Sequence, residues 1–69
     1  MTLKEFLSLI QDEEARIELE IDECTSDEYK YDNFWLSDYR DCVSKANKYD
    51  NYSVYGFSIT SNVISIYIK

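Results

Sequence analysis

The chain contains no histidine and no proline, a single glycine (Gly56) and only two cysteines, Cys24 and Cys42. Without histidine, neither a Ser-His-Asp nor a Cys-His nucleophile system can be assembled, nor a histidine-based zinc centre. One glycine cannot furnish a Gly-rich phosphate loop, and its scarcity, with the lack of proline, argues against linkers and low-complexity segments. The cysteines lack CxxC spacing, so no metal site or redox motif is expected of them. They are expected to be reduced thiols, at least one of them buried. No apolar run reaches the roughly 18 residues of a membrane span, and MTLKEFLSLIQDEE has neither the basic start nor the small-residue cleavage site of a signal peptide. A cytoplasmic protein is expected.

Positive charge is scarce as well. Fourteen acids face seven bases, for a net charge of −7 over 69 residues. The excess is local: residues 12–41 hold twelve acids and three bases, whereas residues 51–69 hold no acid and one base. Direct binding to DNA, RNA or an anionic membrane is disfavoured, because those partners are themselves polyanions. Basic proteins or cations are the expected partners. Aromatics make up 16% of the chain and apolar residues 45%, too many for a disordered acidic tail. A single small globular domain spanning residues 1–69 is therefore expected, burying only about 60% of the surface that its unfolded form exposes.

Thr2 and Glu5 have capping-box spacing, and Leu3, Phe6, Leu7 and Ile10 recur on one helical face. A helix over 3–12 is predicted. In ARIELEID, Ile17, Leu19 and Ile21 alternate with Glu18, Glu20 and Asp22, the period of a strand with one apolar face and one carboxylate face. A second strand over about 28–34 is predicted to pair with it across a loop at 24–27. From Ser37, a credible N-cap, the positions Tyr39, Cys42, Val43 and Ala46 predict a helix over about 38–47. VYGFSIT and VISIYIK, separated by Ser61 and Asn62, predict a tight hairpin. Its register would set Thr60 against Val63, Ile59 against Ile64, Phe57 against Ile66, Tyr55 against Ile68, and Gly56 under Tyr67. The order α-β-β-α-β-β predicts an α+β fold, with two helices packed on one face of a mostly antiparallel four-stranded sheet.

Few constellations could carry chemistry. Asp22/Glu23, Asp27/Glu28 and Asp38/Asp41 are candidate carboxylate pairs. Acid–base work, however, needs a concave site that drives two pKa values apart, and a chain this short has little core from which to build one. No enzymatic activity, cofactor or metal site is expected. DECTSDEYKYDN is rich in oxygen ligands but lacks the alternating acids, sixth-position glycine and twelfth-position glutamate of an EF-hand loop.

The acids themselves remain to be explained. Glu18, Glu20 and Asp22 should form a row along one face of the first strand, and Asp27, Glu28, Asp32, Asp38 and Asp41 would extend it if the second strand and helix lie nearby. Such acids could simply be the solvated faces of amphipathic elements. Yet Tyr29, Tyr31, Phe34, Trp35 and Tyr39 lie among them. Phe34 or Trp35 is expected in the core, leaving Tyr29, Tyr31 and Tyr39 beside the carboxylates. Tyrosine beside carboxylate suits a partner that presents Arg and Lys, through charge-assisted hydrogen bonds and cation–π contact. To such a partner, a carboxylate row imitates a phosphate backbone.

A short chain that opens MTLKEFLSLI, passes through an alternating acidic strand and closes on GFSITSNVISIYIK resembles the small acidic open reading frames of phages and bacterial mobile elements. Some proteins of that kind are anti-CRISPR or anti-restriction inhibitors, and several are acidic nucleic-acid mimics. The resemblance is one of size, charge and element order. It implies an inhibitor, acting in the cytoplasm of a bacterial host cell, that competes with DNA or RNA for a basic nucleic-acid-binding defence protein, such as the CRISPR effector Cas9. The alternative reading is a small structural or regulatory interaction module, or a homodimer, that uses the exposed edge of VISIYIK for strand addition.

Overall fold

The computed structural model describes residues 1–12, 14–22 and 30–69. Its elements are α1 (Leu3–Ser8), β1 (Arg16–Ile21), β2 (Lys30–Trp35), α2 (Leu36–Arg40), a 3₁₀ turn (Lys45–Tyr49), β3 (Val54–Thr60) and β4 (Val63–Ile68). The fold is α+β, in the predicted order. The predicted loop at 24–27 lies outside the described residues, as do Cys24 and the candidate residues Asp27, Glu28 and Tyr29.

The capping box forms. The Thr2 hydroxyl accepts from the Glu5 amide at 3.2 Å while the Glu5 carboxylate accepts from the Thr2 amide at 3.1 Å. These bonds hold the Glu5 carboxyl below its usual pKa. The helix stops at Ser8 rather than running to residue 12, because the Ser8 hydroxyl turns back to the Glu5 carbonyl at 2.6 Å and competes with continuation. Arg40 closes that end by donating to the carbonyls of Leu7 and Ile10, a cation where the helix dipole favours one.

The second predicted helix is broken in two. Trp35, not Ser37, occupies its N-cap, without a side-chain cap bond. Its C-terminus is a Schellman motif: the Val43 amide donates to the Asp38 carbonyl at 2.9 Å and the Cys42 amide to the Tyr39 carbonyl at 3.1 Å. That geometry puts Cys42 in the left-handed region, at φ 58°. Cys42 and Val43, expected on the buried face, are exposed as a result. Ser44 then caps the 3₁₀ turn, its hydroxyl accepting from the Ala46 amide.

The four strands form one sheet in the order β2-β1-β4-β3. β1–β2 and β3–β4 are antiparallel hairpins, and β1 joins β4 in parallel. The hairpin register is as predicted from Thr60↔Val63 to Gly56↔Tyr67. Beyond that point a bulge between Val54 and Gly56 puts Val54, instead of Tyr55, opposite Ile68. The VISIYIK strand is not an edge. Ile66 and Ile68 are fully buried, which needs neighbours on both sides, and β1 and β3 supply them. All helical segments lie on one face, where Leu3, Leu7, Leu36 and Ala46 pack on Ile17, Leu19, Ile21, Phe34, Ile66 and Ile68.

Two outcomes follow from this packing. Leu19, wholly buried at the β1–β4 seam, should cost about 2–5 kcal/mol on truncation to alanine, measured by chemical denaturation. Cys42→Gly should instead stabilise by roughly 0.5–1 kcal/mol, because glycine adopts the left-handed conformation without the Cβ penalty.

Candidate functional site

The helices cover one face of the sheet, and the other carries the alternate residues of every strand. Cross-strand partners share a face, so the register lays this open face out in three rows. Trp35, Arg16, Val63 and Thr60 form the first, Asn33, Glu18, Ser65 and Ser58 the second, and Tyr31, Glu20, Tyr67 and Gly56 the third. Period-two alternation therefore sends Glu18 and Glu20 up the middle of the open face, with Asp22 exposed just past the end of β1. Successive carboxylates on such a strand stand about 6.6–6.8 Å apart.

Aromatic rings flank this row. Trp35 and Tyr31 on β2 are 48% and 44% exposed. On the other flank Tyr67 lies across Gly56, where an added Cβ would come within 3.3 Å of its ring, and Tyr55 sits beside it at 6.1 Å between ring centroids. The bases of this face are held against rings at its margins: the Arg16 guanidinium is 4.9 Å from the Trp35 ring and bonded to Asn33, and the Lys69 ammonium is 5.2 Å from the Tyr55 ring.

The carboxylates act on their aromatic neighbours. A hydrogen bond to Glu18 is the main reason that the Tyr31 phenol is raised above its ordinary pKa. The Tyr55 phenol is raised too, first by desolvation and then by the charges of Asp22 and Glu20. The Ser65 hydroxyl donates to Glu18 at 3.4 Å. Near the Arg16 end the face opens into a groove bounded by Asp12, Glu14, Ser37 and Asn62.

The remaining candidate residues are elsewhere. Asp32 is paired with Leu19 and so belongs to the helix-covered side. Its carboxylate accepts from the Asn33 amide at 2.8 Å. Asp38 and Asp41 ride on α2 and its C-cap, also on that side, with the Asp38 carbonyl serving the Schellman bonds. Tyr39 is half-buried, stacked on Phe34 at 5.7 Å, and its hydroxyl donates to Asp50. The predicted continuous face is thus divided by the sheet into an open set, Glu18, Glu20, Asp22 and Tyr31, and a helix-side set, Asp32, Tyr39, Asp38 and Asp41.

Of the two aromatics of which one was expected in the core, Phe34 is buried and Trp35 is exposed. Arg16, Trp35, Tyr55 and Tyr67 belong to the open face but were not among the residues expected to bind a partner. The phase of β1 and β2 carried a signal for the first two, since Arg16 is in step with Glu18, and Trp35 with Tyr31. Among the described residues, no group of three or more Cys, Asp or Glu side chains is placed to hold a metal ion, and no helix is long and apolar enough to cross a membrane. No protein-family model, curated protein or solved structure matches the chain.

Tyr39 gives this side of the molecule a pH dependence. Burial first, then the hydrogen bond to Asp50 and its charge, push the phenol well above its ordinary pKa. A raised phenol stabilises fully below the unfolded value of about 10, and that contribution is lost as pH climbs from there towards the folded value. Thermal melts across the alkaline range should show stability falling above about pH 10. Tyr39→Phe should fall less steeply there, while losing about 1 kcal/mol at neutral pH with the hydrogen bond.

Proposed function

We propose that this chain is a non-enzymatic acidic binding protein that occupies the nucleic-acid site of a basic partner, of the kind found in phage-defence systems such as restriction and CRISPR effectors. The observation that carries the reading is the placement of Glu18, Glu20 and Asp22 in one row on the uncovered face of the sheet, between Trp35 and Tyr31 on one flank and Tyr67 and Tyr55 on the other. A protein that grips a phosphate backbone presents Lys and Arg at regular intervals. Carboxylates spaced along a strand meet those side chains with charge-assisted hydrogen bonds, and the neighbouring rings accept guanidinium or ammonium groups on their faces.

A rigid sheet suits this role better than a flexible tail would. The row is held by ladder hydrogen bonds on both sides of β1, so little conformational entropy is lost on docking. Opposite charge also speeds encounter, and the speed falls as salt rises. A phage-encoded inhibitor, acting in the host cytoplasm against a target that is itself searching for DNA, would draw directly on that rate advantage.

Competition with fluorescent duplex DNA for purified restriction and CRISPR effectors tests the reading. The chain should displace DNA at low salt and lose affinity steeply as salt is raised. Joint replacement of Glu18, Glu20 and Asp22 by Lys should weaken displacement roughly a hundredfold. The same reversal at Asp32, Asp38 and Asp41, on the other side of the sheet, should leave it nearly unchanged. Absence of displacement from every effector, or equal loss from both triple variants, would refute the assignment.

A further inference from the structure

The two edges of the sheet are chemically unlike. β2, KYDNFW, carries Lys30 and Asp32, the kind of charged side chains that blunt an edge against strand addition. β3, VYGFSIT, carries no charge. Only its start is guarded. The Val54 amide donates to the Met1 carbonyl at 2.9 Å, Thr2 bridges Ser53, and the bulge lies between Val54 and Gly56. From Gly56 to Thr60 neither the strap nor the bulge applies.

That unguarded stretch also has uncovered apolar side chains. Phe57 and Ile59 are 55% and 64% exposed although they stand on the helix side, opposite Ile66 and Ile64. Phe6 reaches the Phe57 ring at 5.2 Å, and Leu9, three residues further along the same flank of α1, is also exposed. The core layer thus continues past the last helix and ends in the open at the β3 edge.

We infer that β3 is a homodimerisation edge, on which two copies pair antiparallel over Gly56–Thr60 about a two-fold axis at Ser58. Charge selects a second copy as the occupant. All fourteen acids lie within residues 5–50 and none in 51–69, so β3 and its hairpin partner β4 carry no acid, and two chains of net charge −7 that pair through β3 set no carboxylate against another on the paired strands. The register follows from the guards: an overlap clear of strap and bulge is centred on Ser58 and sets Phe57 of each copy against Ile59 of the other. Facing residues then share a face, so the four apolar side chains join the two helix-side cores into one layer. The same operation forms an eight-stranded sheet whose two open faces, with their carboxylate rows, point the same way. An interface of this kind is isologous and closed, so assembly stops at two.

Sedimentation equilibrium from micromolar to millimolar concentration, repeated at low and high salt, provides the test. The expected result is a mass twice the 8.2 kDa of the chain in the upper range, with the dimer tightening as salt screens the net repulsion between copies. Ile59→Lys, which sets an ammonium against the Phe57 ring of the other copy, and, separately, Ser58→Lys, which sets two ammoniums face to face at the axis, should each weaken the dimer by roughly tenfold or more. Both side chains are exposed, so far-UV circular dichroism should be unchanged. Glu18→Lys, on the open face, should not weaken the dimer. A monomer throughout, assembly beyond two copies, a dimer loosened by salt, or one indifferent to both edge substitutions would overturn the inference.

Discussion

The parallel pairing of β1 with β4 is the contact on which the rest of this molecule depends. Each hairpin has only two strands, and an isolated two-stranded hairpin is at best marginal in water. Side by side, the two bring Ile17 against Ile64 and Leu19 against Ile66, with Ile21 against Ile68, on the side where α1 and α2 lie. Five of these six isoleucine and leucine side chains are buried, four of them completely, and they make up nearly half of the buried hydrophobic residues among those described. The seam also fixes phase. With β1 and β4 locked in register, every alternate residue of four strands is committed to the open face, and the carboxylate row is a consequence of that commitment.

The same seam explains why charge and apolar surface part company. The acids of β1 occupy the middle of the sheet, but on its uncovered side, where water solvates them and aromatic neighbours frame them. The uncharged C-terminal hairpin contributes its inner strand to the core and leaves its outer strand at the rim. Acidic face and apolar edge are therefore roughly perpendicular surfaces of one sheet. A partner on one need not displace a partner on the other.

Much of this could be read from the chain itself. Alternation in RIELEI, the capping box at Thr2 and Glu5, and the two-residue hairpin at Ser61 and Asn62 are local signals, and local signals gave the right elements. The failures were of two kinds. Helix ends were decided by bonds no periodicity encodes, the Ser8 hydroxyl turning back on its own helix and the Schellman closure at Cys42. Sheet order was decided by long-range pairing: VISIYI reads equally well as an edge or an inner strand until its parallel neighbour is known. The candidate acids divided because Asp32 is out of phase with Tyr31 along β2 and because α2 packs on the apolar side of β1, opposite its carboxylates. Trp35 and Phe34 are adjacent and equally bulky, and only strand phase assigns one to the core and the other to solvent.

The seam has a temporal consequence as well. Its paired residues are far apart in the chain, Arg16 beside Val63 and Ile21 beside Ile68, so the contact that unites the fold is also among its least local. Closing such a loop costs entropy before any burial repays it, and topologies dominated by distant pairings fold slowly for their size. The hairpins can form early, each from neighbouring residues, but they have no common core until they dock. During that interval β1 and β4 both present bare ladders, and the acids clustered around β1 repel other copies of the same strand. Like charges set opposite one another disfavour pairing, so the carboxylates that decorate the finished face also oppose pairing of β1 with β1 of another copy.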